Sequence, residues 1–318
     1  MALRVLLTRR LPSSVIDTLK QHAEVDVYEG TDAMPRTELI ARIADKQGVL
    51  TCITDRVDDE FLDAAPHLKV IGNFGVGYNH IDVPAARKRG VVVTNTPDVL
   101  TDATAELTWA MILDVARRVS EGDRLIRRGG WAGWRPDFLL GTELRGKQLG
   151  IVGFGRIGRA VAEKAGAFGM TVAYSGRRGA KAAGVSFPAR QVSFDELLVS
   201  SDVLTIHTPL TPETTHLFDK RAFARMKRTA FLVNTSRGQV VDEAAVAWAL
   251  GERLIAGAAL DVFENEPQVH PGLLAFENVV LVPHLGSATR ETRTAMADLA
   301  ARNMIAVLSG QPPLTPVP

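Results

Sequence analysis

The chain has 318 residues, more than one ordinary domain of roughly 100 to 200 residues and a suitable length for two. Hydrophobic residues make up 46% and charged residues 23%, a globular composition that excludes a largely disordered chain. The net charge of +1 argues against nucleic acid as a partner. No segment offers about 18 uninterrupted apolar residues for a membrane span, and the single cysteine, Cys52, fits a reducing compartment. We therefore expect a cytoplasmic protein without a membrane partner.

Short β-branched runs alternate with helical segments from Leu3 onward. The runs are LRVLLT, VDVYEG, GVLTCI, LKVIGN and VVVTNT, separated by amphipathic stretches such as SSVIDTLKQHA. Strands that alternate with helices predict a parallel α/β sheet. The alternation pauses at Asp98, and residues 97–129 predict one long helix with Thr101 or Asp102 as its N-cap and glycines as its stop.

A second alternation follows, with the runs LGIVG, TVAYS, VLTIH, AFLVNT, AGAALD and VVLVP. Six such strands form a nucleotide-binding pattern. The last segment, ATRETRTAMADLAARNMIAVLSG, predicts a helix that returns the chain to the first lobe. We predict an α/β fold of two doubly wound parallel-sheet domains. Residues 1–99 plus 287–318 would form a flavodoxin-like substrate-binding (catalytic) domain, and residues 100–286 a Rossmann-type dinucleotide-binding domain.

The motif GFGRIG follows the strand LGIV and opens a helix, the context that a dinucleotide-binding turn requires. Gly153, Gly155 and Gly158 stand where a tight turn, a close pyrophosphate and a helix–strand contact each forbid a side chain. The pyrophosphate would lie on the helix N-terminus. Further cofactor contacts are predicted in this turn and at the strand ends: Arg156, Ile157, Thr208, Thr235, Asp261 and Gly286.

The strand MTVAYS ends without the acidic residue that binds ribose hydroxyls in NAD enzymes. Ser175 occupies that position, and Arg177 and Arg178 follow it. A repelling carboxylate is absent and two guanidinium groups could bind a 2′-phosphate, so we predict a preference for NADPH, with NADH possible. The alternative is that both arginines are a solvated pair in a loop.

Arg237 and His284 each follow a predicted strand at the carboxyl edge of the second sheet, where doubly wound folds bind ligands. A guanidinium can pair with a carboxylate and also direct an N–H at a carbonyl oxygen. His284 is the best candidate among seven histidines for acid–base work. A carboxylate beside it would favour its protonated form; spacing alone leaves Glu266 and Glu264 as alternatives.

The turn NFGVGYNHID in the first lobe contains two glycines that leave successive backbone N–H groups free to face an anion. Val76 and Gly77 would then hold a substrate carboxylate. Taken by itself, a glycine turn after a strand is more often a simple turn, so this hypothesis depends on the motifs of the other lobe.

Five motifs, GVGYNHID, GFGRIG, NTSRG, DVFENEP and PHLGSAT, occur in this order, and together they resemble the D-isomer-specific 2-hydroxyacid dehydrogenase family over nearly the whole chain. The family's catalytic arginine, glutamate and histidine fall on Arg237, Glu266 and His284, which favours Glu266 over Glu264. The resemblance also places substrate contacts at Arg237, His284 and Ser287, and at the backbone of the glycine turn in the first lobe.

Within that family, PDVLTDATAEL, GGWAGWRPDFLLGTEL and YSGRR are similar to glyoxylate and hydroxypyruvate reductases, whose usual cofactor is NADPH. The resemblance implies hydride transfer to a small 2-oxo acid, giving glycolate or D-glycerate, with His284 as general acid and no metal. It also implies a homodimer, with the long helix and an apolar arm from Trp131 to Leu140 contributing to the interface. The alternatives are a 3-phosphoglycerate dehydrogenase, a D-lactate dehydrogenase, and a dinucleotide-sensing corepressor of the same fold.

Overall fold

The computed structural model describes residues 3–176 and 187–318. The chain divides into two compact units. One consists of Met1–Leu100 and Thr289–Pro318, and the other consists of Thr101–Ala288.

The first unit contains a five-stranded parallel sheet. Its strands are β1 (Arg4–Leu7), β2 (Glu24–Val27), β3 (Gly48–Thr51), β4 (Val70–Asn73) and β5 (Val92–Thr94). Its first helices are α1 (Ser13–Lys20), α2 (Arg36–Ile43), α3 (Asp59–Asp63) and α4 (Val83–Lys88). The order β2-β1-β3-β4-β5 is that of flavodoxin-like folds. All residues of β3 and β4 are buried, as expected for strands of a parallel sheet covered on both faces.

The second unit contains a seven-stranded parallel sheet in the order β12-β11-β10-β9-β6-β7-β8. Its strands are β6 (Gln148–Val152), β7 (Thr171–Ser175), β8 (Ala189–Gln191), β9 (Val203–Ile206), β10 (Phe231–Asn234), β11 (Gly257–Leu260) and β12 (Val279–Leu281). Its helices are α5 (Thr101–Arg117), α6 (Val119–Arg127), α7 (Arg156–Ala165), α8 (Phe194–Ser200), α9 (Lys220–Phe223) and α10 (Glu243–Gly251). The strand order reverses between β6 and β9, and such folds bind ligands outside the carboxyl ends of the strands at that point.

The predicted fold class is confirmed, but two details of the prediction are wrong. The single long helix is two helices, because Arg118 adopts the left-handed conformation with φ 58° between α5 and α6. The carboxylate of Asp114 accepts hydrogen bonds from the N–H and the hydroxyl of Ser120 and so holds the start of α6. Thr101, predicted as an N-cap, is the first residue of α5.

The second error concerns the number of strands in the second sheet. We predicted six, and the structure has a seventh, β8, which pairs with β7 at the sheet edge. Its sequence ARQ is short and largely exposed, so it lacks the apolar run that marked the other strands.

The C-terminal helix α11 (Arg290–Leu308) packs on the first unit's sheet. Four of its buried side chains join a core cluster with Val5, Leu50 and Val70; they are Ala297, Ala300, Ala301 and Met304. Its small residues allow close packing on the strands, since a Cβ added at Gly72 would lie 3.7 Å from the Ala300 carbonyl oxygen. Within residues 3–176 and 187–318, none of the helices is both long enough and apolar enough to span a membrane.

Candidate active site

The glycine turn between β6 and α7 is shaped by two close backbone contacts. Gly153 has φ 92°, and a Cβ there would lie 2.6 Å from the His207 backbone. A Cβ on Gly158 would lie 2.2 Å from the Gly153 carbonyl oxygen. At Gly155, by contrast, no described atom lies within 4 Å of an added Cβ. Packing therefore requires glycine at two of the three positions, and the open space at the third suits a group bound against the backbone.

The helix start beside this open space fits a dinucleotide pyrophosphate. Gly155 is the N-cap of α7, and in the described part of the chain no side chain caps that end. Arg156 and Ile157 are the first residues of the helix. The first N–H groups of a helix lack intrahelical acceptors and favour an anion. These residues fit the phosphates of a nicotinamide dinucleotide.

Ser175 ends β7 beside the same turn, and its carbonyl oxygen accepts a hydrogen bond of 2.8 Å from the Gly153 N–H. This placement puts a hydroxyl, and no carboxylate, at the strand end next to the glycine turn. Arg177 and Arg178 lie outside the described residues. Their predicted contact with a 2′-phosphate stays a prediction.

The loop that carries Arg237 is braced by the last residue of β10. The Asn234 Oδ1 accepts hydrogen bonds from the Ser236 N–H at 3.0 Å and from its hydroxyl at 2.8 Å. The Asn234 Nδ2 donates to the Arg237 carbonyl oxygen at 2.9 Å. Gly238 is sterically required, because a Cβ there would lie 1.9 Å from the Phe263 carbonyl carbon. The backbone on both sides of Arg237 is therefore fixed.

The side chain of Arg237 is half-buried. Burial lowers its pKa, and the nearby carboxylate of Glu266 acts in the opposite direction. Its Nη1 donates to the Ser236 carbonyl oxygen at 2.7 Å. A partly desolvated cation attracts an anion more strongly than an exposed one does, which suits Arg237 to binding a carboxylate.

His284 and Glu266 form a direct pair, with 2.9 Å between Nδ1 and Oε2. The other Glu266 oxygen accepts from the Phe263 N–H at 3.1 Å, which fixes the carboxylate. Burial raises the pKa of Glu266, but the hydrogen bond and charge of His284, the Phe263 N–H and Arg237 together bring that pKa below its usual value. The carboxylate stays ionised at neutral pH and can stabilise an imidazolium.

Glu264 has different partners. Its Oε1 accepts from the Glu243 N–H at 2.7 Å, and its Oε2 lies 3.2 Å from the Nε2 of His216. The buried Glu243 accepts in return from the Glu264 N–H and, at 2.8 Å, from the His270 N–H. Glu264 therefore helps to hold the loop that carries Glu266. The acidic partner of His216 therefore lies 48 positions away in the sequence.

Asp261 orients the loop after β12. Its carboxylate accepts from the backbone N–H groups of Leu285 and Gly286, and its carbonyl oxygen accepts from the His284 N–H at 2.9 Å. Burial raises the pKa of Asp261 to about 6, although both N–H groups and His284 lower it. His284 itself has φ 53°, a strained conformation for a residue other than glycine. Such strain persists where surrounding contacts impose it, as they do here.

The two predicted threonines, Thr208 and Thr235, lie at this sheet edge together with His207. Burial lowers the pKa of His207 to about 3, so its imidazole is neutral at physiological pH and a poor proton donor. Thr208 follows it, and its backbone nitrogen also lies against Gly153. The Thr235 hydroxyl contacts that of Thr108 at 3.0 Å and is thereby tied to α5. Ser287 is half-buried after Gly286.

In the first unit, the turn after β4 is held by asparagine side chains that sequence reasoning overlooked. The Asn73 Nδ2 donates to the carbonyl oxygens of Gly75 and Gly77, and the Asn95 Nδ2 donates to that of Val76. The N–H groups of Val76 and Gly77 have no acceptor among the described residues. A signal for Asn73 was present, since an asparagine ends the strand immediately before the turn.

The chain is similar to proteins of one enzyme family over nearly its whole length. The sequence model of the D-isomer specific 2-hydroxyacid dehydrogenase NAD-binding domain matches residues 109–286. A glyoxylate reductase of Thermococcus litoralis is 46% identical over 314 residues, covering 98% of this chain and 95% of the relative.

Solved structures extend the likeness to the fold. A crystal structure of a protein from Thermus thermophilus has a TM-score of 0.93 at 46% identity, covering 99% of this chain and 100% of that one. An NADPH-dependent glyoxylate/hydroxypyruvate reductase from Sinorhizobium meliloti, in complex with NADP and malonate, has a TM-score of 0.87 at 35% identity, covering 100% and 97%. The chain belongs to the D-isomer-specific 2-hydroxyacid dehydrogenase family and is an NAD(P)-dependent oxidoreductase.

Proposed function

We propose that this protein reduces glyoxylate and hydroxypyruvate to glycolate and D-glycerate, with NADPH as the preferred cofactor and His284 as the general acid. The observation that carries the proposal is the 2.9 Å contact between the His284 Nδ1 and the Glu266 Oε2. That contact leaves the Nε2 of His284 to give a proton to a substrate oxygen.

Each side chain has one task in the proposed reaction. When bound, a reduced nicotinamide supplies the hydride that adds to the carbonyl carbon. Arg237 polarises the carbonyl and pairs with the carboxylate, because its fork can serve two acceptors. His284 donates a proton from Nε2 to the oxygen that gains charge. Glu266 orients the imidazole and favours its protonated form.

The roles of the two parts of the chain follow from these assignments. We assign dinucleotide binding to residues 100–286, which contain the glycine turn, and substrate binding to residues 1–99 plus 287–318. In the latter, Val76 and Gly77 would hold the carboxylate through their N–H groups, and Ser287 would be a further contact. The free N–H groups of the turn after β4 support this division.

The choice of substrate is supported by the names of similar proteins, a glyoxylate reductase and a glyoxylate/hydroxypyruvate reductase. The test is the loss of absorbance of the reduced cofactor with purified protein, comparing glyoxylate, hydroxypyruvate and pyruvate. We expect the first two to be reduced rapidly. Protein with His284→Ala, prepared in the same way, controls for contaminating reductases. Turnover restricted to another 2-oxo acid would overturn the choice of substrates.

NADPH preference is supported by the hydroxyl of Ser175 at the end of β7 and by the NADP bound in the similar Sinorhizobium meliloti enzyme. A triple variant, Ser175→Asp with Arg177→Ala and Arg178→Ala, adds the repelling carboxylate and removes both cations. We expect the ratio of kcat/KM for NADPH to that for NADH to fall by at least about tenfold. An unchanged ratio would refute the assignment. Ser175→Ala with both arginines retained is the matched control.

We also propose a homodimer that uses the arm from Trp131 to Leu140. Trp134 is 81% exposed and Leu140 66% exposed, which is unusual for large apolar side chains near one another in sequence. Light scattering after gel filtration should give twice the mass of 34.4 kDa. Trp134→Glu should shift the mass towards the monomer, whereas the same change at the exposed Leu274, outside the arm, should not.

A further inference from the structure

Two asparagine side chains donate to the carbonyl oxygens of Gly75, Val76 and Gly77 in the turn after β4, and the Gly75 oxygen also accepts from the Thr96 N–H at 3.0 Å. The Asn73 Nδ2 lies 2.9 Å from the Gly75 oxygen and 3.0 Å from the Gly77 oxygen. The Asn95 Nδ2 lies 2.8 Å from the Val76 oxygen. Both hydrogens of the Asn73 amide are therefore used, and the opposite amide orientation would place its oxygen against two carbonyl oxygens.

The orientation of the carbonyls determines where the N–H groups point. In a planar trans peptide the N–H lies opposite the C=O. The Gly75 carbonyl belongs to the peptide that carries the Val76 N–H, and the Val76 carbonyl to the peptide that carries the Gly77 N–H. Because the amides hold these carbonyls, the Val76 N–H faces away from Asn73 and the Gly77 N–H faces away from Asn95. Neither N–H has an acceptor among the described residues, and successive backbone N–H groups of this kind can bind an anion.

The two amides are themselves held in place. Asn73 ends β4 and is 1% exposed. The N–H of Asn95 donates to the Thr315 carbonyl oxygen at 3.2 Å, and the Thr315 hydroxyl donates to the Asn95 carbonyl oxygen at 2.6 Å. The fully buried Asn303 bonds both the N–H and the hydroxyl of Thr315. The residues near the C-terminus thus support the turn through Asn95.

We propose that Asn73 and Asn95 are positioning residues for the carboxylate of the substrate. Their hydrogen bonds fix the carbonyl groups of the turn. The N–H groups of Val76 and Gly77 are therefore oriented for the anion before it binds. Pre-set donors lose little conformational freedom on binding, which is how such residues contribute to affinity. The inference depends on the proposed function, because it assigns the anion to a 2-oxo acid.

The test replaces the donor amide by an acceptor of the same shape. In Asn73→Asp a carboxylate oxygen would face two carbonyl oxygens and push the turn out of position. We expect KM for glyoxylate to rise by about 10- to 100-fold, with kcat changed far less, because carboxylate binding is shared by ground and transition states. Glycolaldehyde, which lacks the carboxylate, should show nearly unchanged kcat/KM, and the affinity for NADPH should also stay nearly unchanged.

Two further variants separate positioning from loss of folding. Asn95 is half-buried and should tolerate substitution better than Asn73. We expect Asn95→Asp to raise KM for glyoxylate by a smaller factor and to leave kcat/KM for glycolaldehyde nearly unchanged. Asn278→Asp is the matched control: its amide also donates to a backbone carbonyl, that of Ala256 at 2.8 Å, but at the amino end of β12. We expect Asn278→Asp to leave kcat/KM unchanged for both glyoxylate and glycolaldehyde. Equal losses for glyoxylate and glycolaldehyde in both Asn73→Asp and Asn95→Asp would overturn the proposal.

Oxalate binding, measured by calorimetry, distinguishes the possible failures. If wild type reduces glyoxylate but Asn73→Asp changes neither KM nor oxalate affinity, the positioning role is wrong and the proposed function stands. If wild type reduces no 2-oxo acid yet binds oxalate more tightly than Asn73→Asp does, the anion turn stands and the proposed substrate is wrong. If wild type neither reduces a 2-oxo acid nor binds oxalate, both proposals are wrong.

Discussion

Two asparagines end parallel strands, one in each unit, and brace the loops that follow in different ways. Asn73 ends β4 and donates both amide hydrogens to carbonyl oxygens of the loop that follows. Asn234 ends β10, accepts twice from Ser236 and donates to the Arg237 carbonyl oxygen. The first arrangement leaves two backbone N–H groups without an acceptor among the described residues, and the second fixes the backbone that carries a charged side chain.

The comparison shows that the direction of the hydrogen bonds, rather than the type of bracing residue, decides what a loop offers to a ligand. The proposed donors in the first unit are backbone N–H groups, which do not titrate. The second unit holds Glu266 and His284, which pair at 2.9 Å and to which we assign proton delivery. We expect substrate binding and proton delivery to respond to different substitutions.

Removing the imidazole of His284 should have the largest effect, and it should affect proton delivery alone. His284→Ala deletes the proposed proton donor without touching the anion turn. We expect kcat for reduction to fall by about 100- to 10,000-fold, the range for a general acid, with affinity for NADPH unchanged. Steady-state kinetics and a fluorescence titration of cofactor measure the two. Near-normal turnover would remove His284 from the mechanism.

The glycines beside the two asparagines give the next largest contrast. A Cβ at Gly238 would overlap the Phe263 backbone at 1.9 Å, so Gly238→Ala must displace the Arg237 loop. We expect the free energy of unfolding to drop by about 3 kcal/mol and activity to fall with it. Denaturation followed by circular dichroism gives the first quantity.

The matched change in the first unit should be mild. A Cβ at Gly75 would meet its nearest atoms at 3.7 Å, an ordinary contact, and the backbone there has no positive φ. Gly75→Ala should therefore change the free energy of unfolding by less than about 1 kcal/mol. Equal losses for the two variants would show that the Gly238 contact does not hold its loop.

Removing the charge of Glu266 should change how the rate of reduction depends on pH. Glu266→Gln keeps a side chain able to bond His284 but removes the charge that favours an imidazolium. We expect kcat/KM for reduction to fall by at least about tenfold and its alkaline limb to move to lower pH, since the proton is then lost more readily. Asn73→Asp should leave the position of that limb unchanged. A limb that stays in place in Glu266→Gln would separate Glu266 from proton delivery.

The fold was largely predictable because most strands are continuous apolar runs. The strand that was missed lacks this signal: β8 is three largely exposed residues at an edge. The break between α5 and α6 was invisible in the sequence because neither proline nor glycine marks it. It depends on Arg118 in a left-handed conformation and on Asp114 reaching Ser120, which are three-dimensional features.

Part of the candidate site was predictable for a different reason. Arg237, Glu266 and His284 stand in compact motifs, so their positions could be assigned, although their roles stay predictions. Spacing could not choose between Glu264 and Glu266, because the loop folds back on itself and the two side chains reach different partners. The bracing amides were missed because an asparagine at a strand end carries no chemical signature until its acceptors are known.

The most direct test of the account is whether Glu266 acts through His284. Turnover of glyoxylate should be measured for wild type, Glu266→Gln, His284→Ala and the double variant. We expect Glu266→Gln to lower turnover by at least about tenfold in the wild-type background and almost not at all once His284 is alanine, since residues that act as a unit are not additive. If instead the fold losses in turnover of the two single variants multiply in the double variant, Glu266 does not act through His284.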